Sequence, residues 1–217
     1  MELAVMLEIL FSGLVFTAQI FATTLIGALP LGVVIAFCRM SKFKPLAIVT
    51  RLYISIMRGT PLMLQLMAFM FAPYYLFGLQ MGSEWKYYAV SFGFILNYAA
   101  YFAEIYRSGI QSIPKGQYEA ALVLGYSPTQ TFFKIILPQV LKRILPALGN
   151  EIITLVKDTS LAFVLGVMEM FSQAKALAAS QVSMVPYLIA AVVYWIFNFI
   201  IEMILTRLEK RMDYYHD

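Results

Sequence analysis

Three ionisable residues, Glu151, Lys157 and Asp158, lie in a stretch that is otherwise mostly apolar, and their chemistry suits a charged solute. Thr159 and Ser160 follow directly, and Glu151 precedes the pair by about two helical turns. Charges inside a bilayer cost several kcal/mol when unpaired, so they usually face a cavity or one another. Neighbouring helical residues point about 100° apart, so Lys157 and Asp158 need not pair. The cluster predicts a broken helix that can hold a zwitterion.

Two polar residues earlier in the chain can face the same polar path through the bilayer as this cluster. Asn97 and Glu104 lie about two turns apart on one predicted helix. With the cluster they supply carboxylates for an ammonium group and donors for a carboxylate group. A structural alternative stays open, in which Lys157 and Asp158 pair with backbone or with a partner subunit and hold helices together. For Glu104 the alternative is a simple ion pair with Arg107, three residues on.

The composition indicates a membrane protein. Of the 217 residues, 61% are hydrophobic and only 13% are charged, whereas about 25% of the residues in soluble proteins are charged. The mean hydropathy is +0.78. One cysteine, Cys38, excludes an internal disulfide, and the single His216 lies in the tail, so we expect neither a cysteine- or histidine-based metal site nor a Ser–His triad. Orientation in a bilayer explains the net charge of +4 better than nucleic-acid binding does.

Five largely apolar runs are long enough to cross a bilayer, which takes about 20 residues in a helix. A short helix lying at the outer surface is expected within residues 171–185, and Gly27, Pro30 and Gly32 are expected to bend the first span. Backbone polar groups in lipid must be paired internally, so the prediction is an all-α integral membrane protein with a single transmembrane domain. The predicted spans are residues 9–38, 62–83, 87–106, 144–168 and 186–206.

The distribution of basic residues predicts the orientation. Of the sixteen Lys and Arg residues, thirteen fall in segments that the five spans place on one side. Only Lys86 and Lys175 fall on the other side, and Lys157 lies within a span. Because Lys and Arg concentrate on the cytoplasmic side of membrane proteins, we expect the N-terminus outside and the C-terminus in the cytoplasm.

The loop between the third and fourth predicted spans is polar but patterned like two short helices. A first helix is expected over Lys115–Leu124, with Gly125 as its C-terminal stop. Ser127 is expected to cap a second helix, and Gln130 to complete a capping box. Pro138 is expected to interrupt or bend this second helix because its ring lacks an N–H group.

The spacing within this loop resembles the cytoplasmic loop of ABC-importer permeases. The matching residues, in order, are Glu119, Ala120, Ala121, Gly125, Ile135, Leu137 and Pro138. Two further motifs are similar to those of polar amino-acid permeases of the histidine, arginine and glutamine type. They are Arg58-Gly59-Thr60-Pro61 and Gly149-Asn150-Glu151 followed by Lys157-Asp158-Thr159-Ser160-Leu161. Together the three motifs extend from about residue 58 to residue 161, and the number of spans agrees over the whole chain.

The resemblance implies a permease subunit of an ATP-driven importer in a bacterial inner membrane. Two copies of a separate ATPase would dock on coupling helices in residues 114–138, through the seven matching residues. A second permease copy or a paralogue, and an extracytoplasmic solute-binding protein, would complete the complex. The chain has no G-x-x-x-x-G-K-[ST] stretch, so we expect no enzyme activity and no cofactor in it, and ATP and Mg²⁺ only in the partner ATPase.

The expected solute is a polar amino acid, and the excess of acidic residues over Lys157 favours a cationic one such as arginine, lysine or histidine. The predicted substrate-binding residues are Asn97, Glu104, Glu151, Lys157, Asp158, Thr159 and Ser160. Three alternatives stay open: a permease for another small solute, an exporter, and an ATP-independent carrier or channel that uses its buried charges as a proton relay. A purely structural membrane subunit is disfavoured by the polar residues within the spans.

Overall fold

The computed structural model describes residues 3–212, which form helices joined by short connections. A π-helical turn, Phe132–Ile136, joins α6 to α7, and a 3₁₀ segment, Thr159–Leu165, follows α7. No β-strand occurs in residues 3–212, which confirms the predicted all-α class. The helices are α1 Leu3–Arg39, α2 Lys44–Gly59, α3 Leu62–Phe77, α4 Trp85–Gln111, α5 Lys115–Val123, α6 Pro128–Thr131, α7 Leu137–Asp158, α8 Met170–Gln181 and α9 Val185–Met212.

Helices α1 and α4 pack against each other at the centre of the molecule, because glycines on α1 permit a close approach. A Cβ atom on Gly27 would lie 2.7 Å from Ile95 Cδ1, and one on Gly32 would lie 2.9 Å from Phe102 Cβ. Helix α1 continues without a break through Pro30. The two glycines therefore have a packing role that the expectation of a bend did not anticipate.

The helices that clearly reach membrane-spanning length lie at the two ends of the described chain. Helices α1 and α9 are each long and apolar enough to cross a membrane. Helices α2 and α3 meet the same requirement only as a pair, bent by 112° at the break between them. Length and composition thus identify two spans in residues 3–212, or three if the bent pair counts as one.

The helix α2 was not predicted, and it directly precedes the predicted second span. Its basic residues were interpreted as part of a cytoplasmic connection, although its apolar residues repeat with helical periodicity. The predicted second span covers residues 62–83, whereas the helix α3 within it ends at Phe77. Gly78 adopts the left-handed conformation (φ 66°) there, and its N–H group donates to the Tyr74 carbonyl, which terminates the helix.

The other predicted boundaries differ by a few residues. Helix α1 begins six residues before the predicted start at residue 9, and α4 continues five residues past residue 106, to Gln111. Helix α9 likewise continues past residue 206 to Met212. A helix was correctly expected within 171–185, where α8 lies. Charged residues at these helix ends were read as limits of the spans, but a helix can extend beyond the apolar layer.

Candidate functional site

A cavity of about 470 Å³ lies where α3, α4 and α7 meet, and we call it the Asp158 cavity. Two of its residues, Glu151 and Asp158, are seven positions apart on α7 and therefore lie on the same face of that helix. The lining residues are Thr60, Pro61, Leu62, Asn97, Tyr98, Tyr101, Glu151, Thr154, Asp158 and Leu161. The cavity thus presents two carboxyl groups among aromatic and hydroxyl side chains.

Asp158 is held in place by a tyrosine on α4. The Tyr98 hydroxyl donates to Asp158 Oδ2 at 2.8 Å, and the Tyr98 ring is almost completely buried. The α-helix ends at Asp158 and continues as a 3₁₀ segment, which confirms the predicted break in this helix. The hydrogen bond fixes the carboxyl group at the helix end, beside the cavity.

The two hydroxyl residues after Asp158 bond to the backbone. Thr159 Oγ1 donates to the Val156 carbonyl at 2.6 Å, and Ser160 Oγ donates to the Lys157 carbonyl at 2.8 Å. These bonds satisfy carbonyls that the change from α to 3₁₀ geometry leaves free. Thr159 is buried, so its hydroxyl group stabilises the break and does not line the cavity.

Asn97 connects α4 to the junction between α2 and α3. Its Nδ2 donates to the Met57 carbonyl at 3.0 Å and to Gln65 Oε1 at 2.9 Å. Gln65 in turn donates to Thr60 Oγ1 at 2.8 Å. Asn97 lines the Asp158 cavity, but its donors already hold the bent junction, so its main role is positional.

A second cavity, of about 500 Å³, lies between the C-terminal part of α4 and the N-terminal part of α7, and we call it the arginine cavity. Tyr101 and Glu151 line both cavities. The lining residues are Arg58, Tyr101, Glu104, Ile105, Arg107, Ser108, Gly109, Ser112, Arg143, Ile144, Ala147 and Glu151. The two spaces therefore share a wall.

Glu104 lines the arginine cavity and not the Asp158 cavity. Its Oε2 is 2.6 Å from Arg107 Nη2, and its Oε1 is 3.8 Å from Arg39 Nε. The ion pair with Arg107 confirms the structural alternative considered for this residue. A carboxylate bridged by two guanidinium groups is not free for an ammonium group of a solute.

Lys157 and Ser160 lie in a third cavity, of about 300 Å³, which α8 and α9 help to form. Its other lining residues include Phe171, Tyr187 and Tyr194. Of the seven predicted substrate-binding residues, the structure thus brings three together around the Asp158 cavity. They are Asn97, Glu151 and Asp158.

Several residues around the Asp158 cavity were not predicted from the sequence. Tyr98 and Tyr101 follow Asn97 on α4, and Thr154 lies between Glu151 and Asp158 on α7. Spacings of three and four residues place Tyr101 on the face of Asn97 and Thr154 on the face of Glu151 and Asp158, whereas Tyr98 is adjacent to Asn97 and lies three residues before Tyr101. That periodicity was the signal that could have identified them.

A buried carboxyl group outside the predicted set joins α8 to α9. Glu169 has no exposed surface, and its side chain accepts hydrogen bonds from the backbone N–H groups of Phe171 and Ser172 at 2.7 Å. The Tyr194 hydroxyl donates to it at 3.1 Å. Glu169 therefore caps α8 and ties it to α9. Glu169 falls between the predicted fourth span, which ends at residue 168, and the helix expected within 171–185.

The loop between α4 and α7 folds as predicted up to the start of its second helix. Helix α5 ends at Val123, and Gly125 adopts a left-handed conformation with φ 80°. Ser127 and Gln130 form the expected capping box at α6. The second helix does not end at Pro138, since α7 begins at Leu137 and contains it. The disturbance is instead the π-helical turn Phe132–Ile136, which directly precedes α7. It lies where a proline without an N–H group leaves the carbonyl four residues earlier unpaired.

The predicted coupling residues differ in exposure. Glu119, Ala120 and Gly125 are exposed, Ala121 is buried beneath the loop, and Ile135, Leu137 and Pro138 are partly buried. The loop also exposes apolar residues that the motif did not include. Val123 is 87% exposed, and the others are Leu122, Leu124 and Phe133.

Two glutamines fix the loop to the bundle. Gln117 on α5 and Gln139 on α7 exchange side-chain hydrogen bonds, one of them at 2.9 Å. Arg143 Nη1 donates to the Ser112 carbonyl at 2.7 Å and so joins the start of α7 to the end of α4. These hydrogen bonds connect the loop to α7 and α7 to the end of α4.

Helices of membrane-spanning length, a cavity lined by two carboxyl groups and an exposed helical loop are the features of this fold that bear on its class. The sequence matches the family described as binding-protein-dependent transport system inner membrane component over residues 28–214. The chain belongs to this family, and it is a bacterial inner-membrane permease subunit whose ATPase is a separate subunit. This membership does not fit the alternative of an ATP-independent carrier or channel.

Individual relatives are similar over nearly their whole length. The L-cystine transport system permease protein TcyB of Bacillus subtilis is 37% identical over 95% of this chain and 88% of TcyB. The arginine transport system permease protein ArtQ of the same organism is 37% identical over 92% of this chain and 90% of ArtQ. A crystal structure of an amino acid ABC transporter with histidines has a TM-score of 0.85 and 32% identity, and the match covers 97% of this chain and 99% of that one.

Proposed function

We propose that this chain is the permease subunit of an importer for polar amino acids, with a preference for cationic ones. The observation that supports this most strongly is the Asp158 cavity, where Glu151 and Asp158 face a space of about 470 Å³. That volume is within the range of about 300–1,000 Å³ typical of small-molecule sites. Two carboxyl groups can take both an α-ammonium group and a cationic side chain.

The names of the relatives support an amino acid as the solute. They include permeases named for the transport of L-cystine, arginine and glutamine. These solutes share the α-ammonium and α-carboxylate groups but differ in side-chain charge. The proposed preference for a cationic side chain therefore rests on the carboxyl groups of this chain, and transport of a neutral polar amino acid is the second candidate.

The loop over residues 114–138 is the proposed docking site for a partner ATPase. Its exposed apolar residues, Leu122, Val123, Leu124 and Phe133, provide the buried centre that a stable interface needs. The complex would contain two ATPase subunits that bind ATP and Mg²⁺, a second copy or a paralogue of this permease, and an extracytoplasmic solute-binding protein. ATP binding would move the loop and, through α4 and α7, alternate the access of the Asp158 cavity.

Five spans with the N-terminus outside and the C-terminus in the cytoplasm remain the proposed topology. In this arrangement α3 lies in the second span, and α2 and loop 114–138 lie on the cytoplasmic side with the basic residues that they carry. Lipid contacts the exposed apolar faces of α1 and α9, and no nucleic acid is involved.

The proposed selectivity is tested with a reconstituted complex that lacks the solute-binding protein, so that only the membrane path discriminates. Labelled arginine and histidine are expected to bind more than about tenfold tighter than glutamate, since like charges in a shared site repel. Equal or tighter binding of glutamate or aspartate would contradict a cationic preference. Glutamine serves as the neutral reference.

A further inference from the structure

The arginine cavity is basic, although its lining contains both signs of charge. Three arginines, Arg58, Arg107 and Arg143, face two glutamates, Glu104 and Glu151. Arg107 is paired with Glu104 at 2.6 Å. A fourth arginine from outside the lining, Arg39, also contacts Glu104. The charge of Glu104 is therefore fully compensated.

Two of the guanidinium groups have no carboxylate partner within residues 3–212. Arg58 Cζ lies 5.2 Å from the centre of the Tyr101 ring, and Arg143 donates to the carbonyl and hydroxyl oxygens of Ser112. A guanidinium group that bonds to a ring face or a carbonyl keeps donors for a further anion. Its planar geometry matches a carboxylate through two parallel hydrogen bonds.

The Asp158 cavity has the opposite charge. Its ionisable residues, apart from tyrosines, are Glu151 and Asp158. Tyr101 and Glu151 belong to both cavities, so the two cavities are adjacent. With all these groups ionised, the net charge of the lining is therefore negative in the cavity at the end of α7 and positive in the cavity near its start.

We infer that the arginine cavity is a second solute-binding site, which binds the α-carboxylate of the amino acid after the amino acid leaves the Asp158 cavity. Arg58 and Arg143 supply the donors, and Arg58 lies against Tyr101 in the shared wall. The ammonium group is recognised in the first cavity and the carboxylate in the second, which favours movement of one dipolar solute from one to the other. This inference rests on the proposed function as an amino-acid permease.

Site-specific labelling in the assembled complex tests the charge of each cavity. Cys38, the single cysteine, is first replaced by serine. Then S108C places a thiol on the arginine cavity, and T154C places one on the Asp158 cavity. The ratio of modification rates with an anionic and a cationic methanethiosulfonate reagent reports the local potential. We expect this ratio to be several-fold higher at S108C than at T154C.

Variants that each remove one arginine charge provide the matched comparison. R58Q and R143Q are each expected to lower the ratio at S108C about threefold, because one nearby charge is lost. R51Q removes the same charge from an exposed position on α2 that lines neither cavity, and it should leave the ratio unchanged. Equal ratios at S108C and T154C, or ratios at S108C insensitive to R58Q and R143Q, would overturn the inference.

Protection by solute identifies the ligand. Arginine should protect both thiols, whereas agmatine, which lacks the carboxylate, should protect only T154C; histidine and histamine form a second matched pair. Equal protection of S108C by inorganic phosphate would overturn the assignment to the solute carboxylate. If the amino acids protect T154C alone, this inference is overturned but the proposed function is not. If no amino acid protects either thiol, the proposed function is overturned as well.

Discussion

At the scale of single residues, Asp158 and its contact to Tyr98 form the centre of the candidate site. The hydroxyl group donates to a carboxyl oxygen at 2.8 Å, beside a cavity that also contains Glu151. A hydrogen bond to a charged group is worth about 1.5–3 kcal/mol. The orientation of Asp158, and with it the fit of an ammonium group, therefore depends on a residue of another helix.

Replacement of Tyr98 by phenylalanine tests this dependence. We expect Y98F to weaken solute binding roughly three- to tenfold, because the carboxyl group loses its orientation. Binding of the labelled amino acid to the purified complex is the measurement. Y88F removes the same oxygen from an exposed tyrosine and is expected to bind normally. Normal binding by Y98F at unchanged thermal stability would exclude a positioning role.

Part of this site, its two carboxyl groups, could be predicted from the sequence. Glu151 and Asp158 were predicted because carboxyl groups in an apolar stretch are costly unless they have a function. Lys157 is adjacent to Asp158 in sequence but lines a different cavity, since neighbours on a helix diverge. Glu104 has one local and one distant partner. Arg107, three residues on, could be predicted from the spacing, whereas Arg39 on α1 could not.

At the scale of elements, short-range chemistry predicted local structure well and long-range packing poorly. The capping box at Ser127 and the glycine stop at Gly125 depend on residues a few positions apart, and both occur as expected. Helix α2 and the 112° bend before α3 were not predicted. The bend is held by Asn97, which is more than thirty residues away in sequence from Gln65.

The turn between α5 and α6 offers a test of docking. Gly125 has φ 80°, and a Cβ atom added to it would have no other residue's atom within 4 Å, so G125A adds backbone strain of about 1–2 kcal/mol without a clash. We expect the affinity for the ATPase subunit to fall roughly fivefold or more. Titration of the ATPase against the reconstituted permease measures it.

A second glycine in the same loop is the control for this substitution. Gly116 also has open space around it but lies within α5 without a positive φ, so G116A is expected to leave docking unchanged. If G125A and G116A bind the ATPase equally well, the conformation of this turn has no part in the interface.

At the scale of the whole molecule, the family and the apolar composition both indicate an integral membrane protein. The distribution of basic residues gives the proposed orientation. Thirteen of sixteen basic residues lie on one side of the predicted topology. Helices α1 and α9 are clear spans, whereas α7 carries Glu151 and Asp158, the two carboxyl groups that line the Asp158 cavity. The helix that is least suited to lipid is thus the one that carries the proposed function.

The central claim is that the solute passes through the membrane path in contact with Glu151. ATPase activity of the reconstituted complex, titrated with arginine, histidine, glutamine and glutamate for the wild type and E151Q, tests this most directly. We predict stimulation by a cationic amino acid that E151Q abolishes or shifts to much higher concentration. Stimulation unchanged by E151Q would contradict the claim and leave selectivity to the external binding protein.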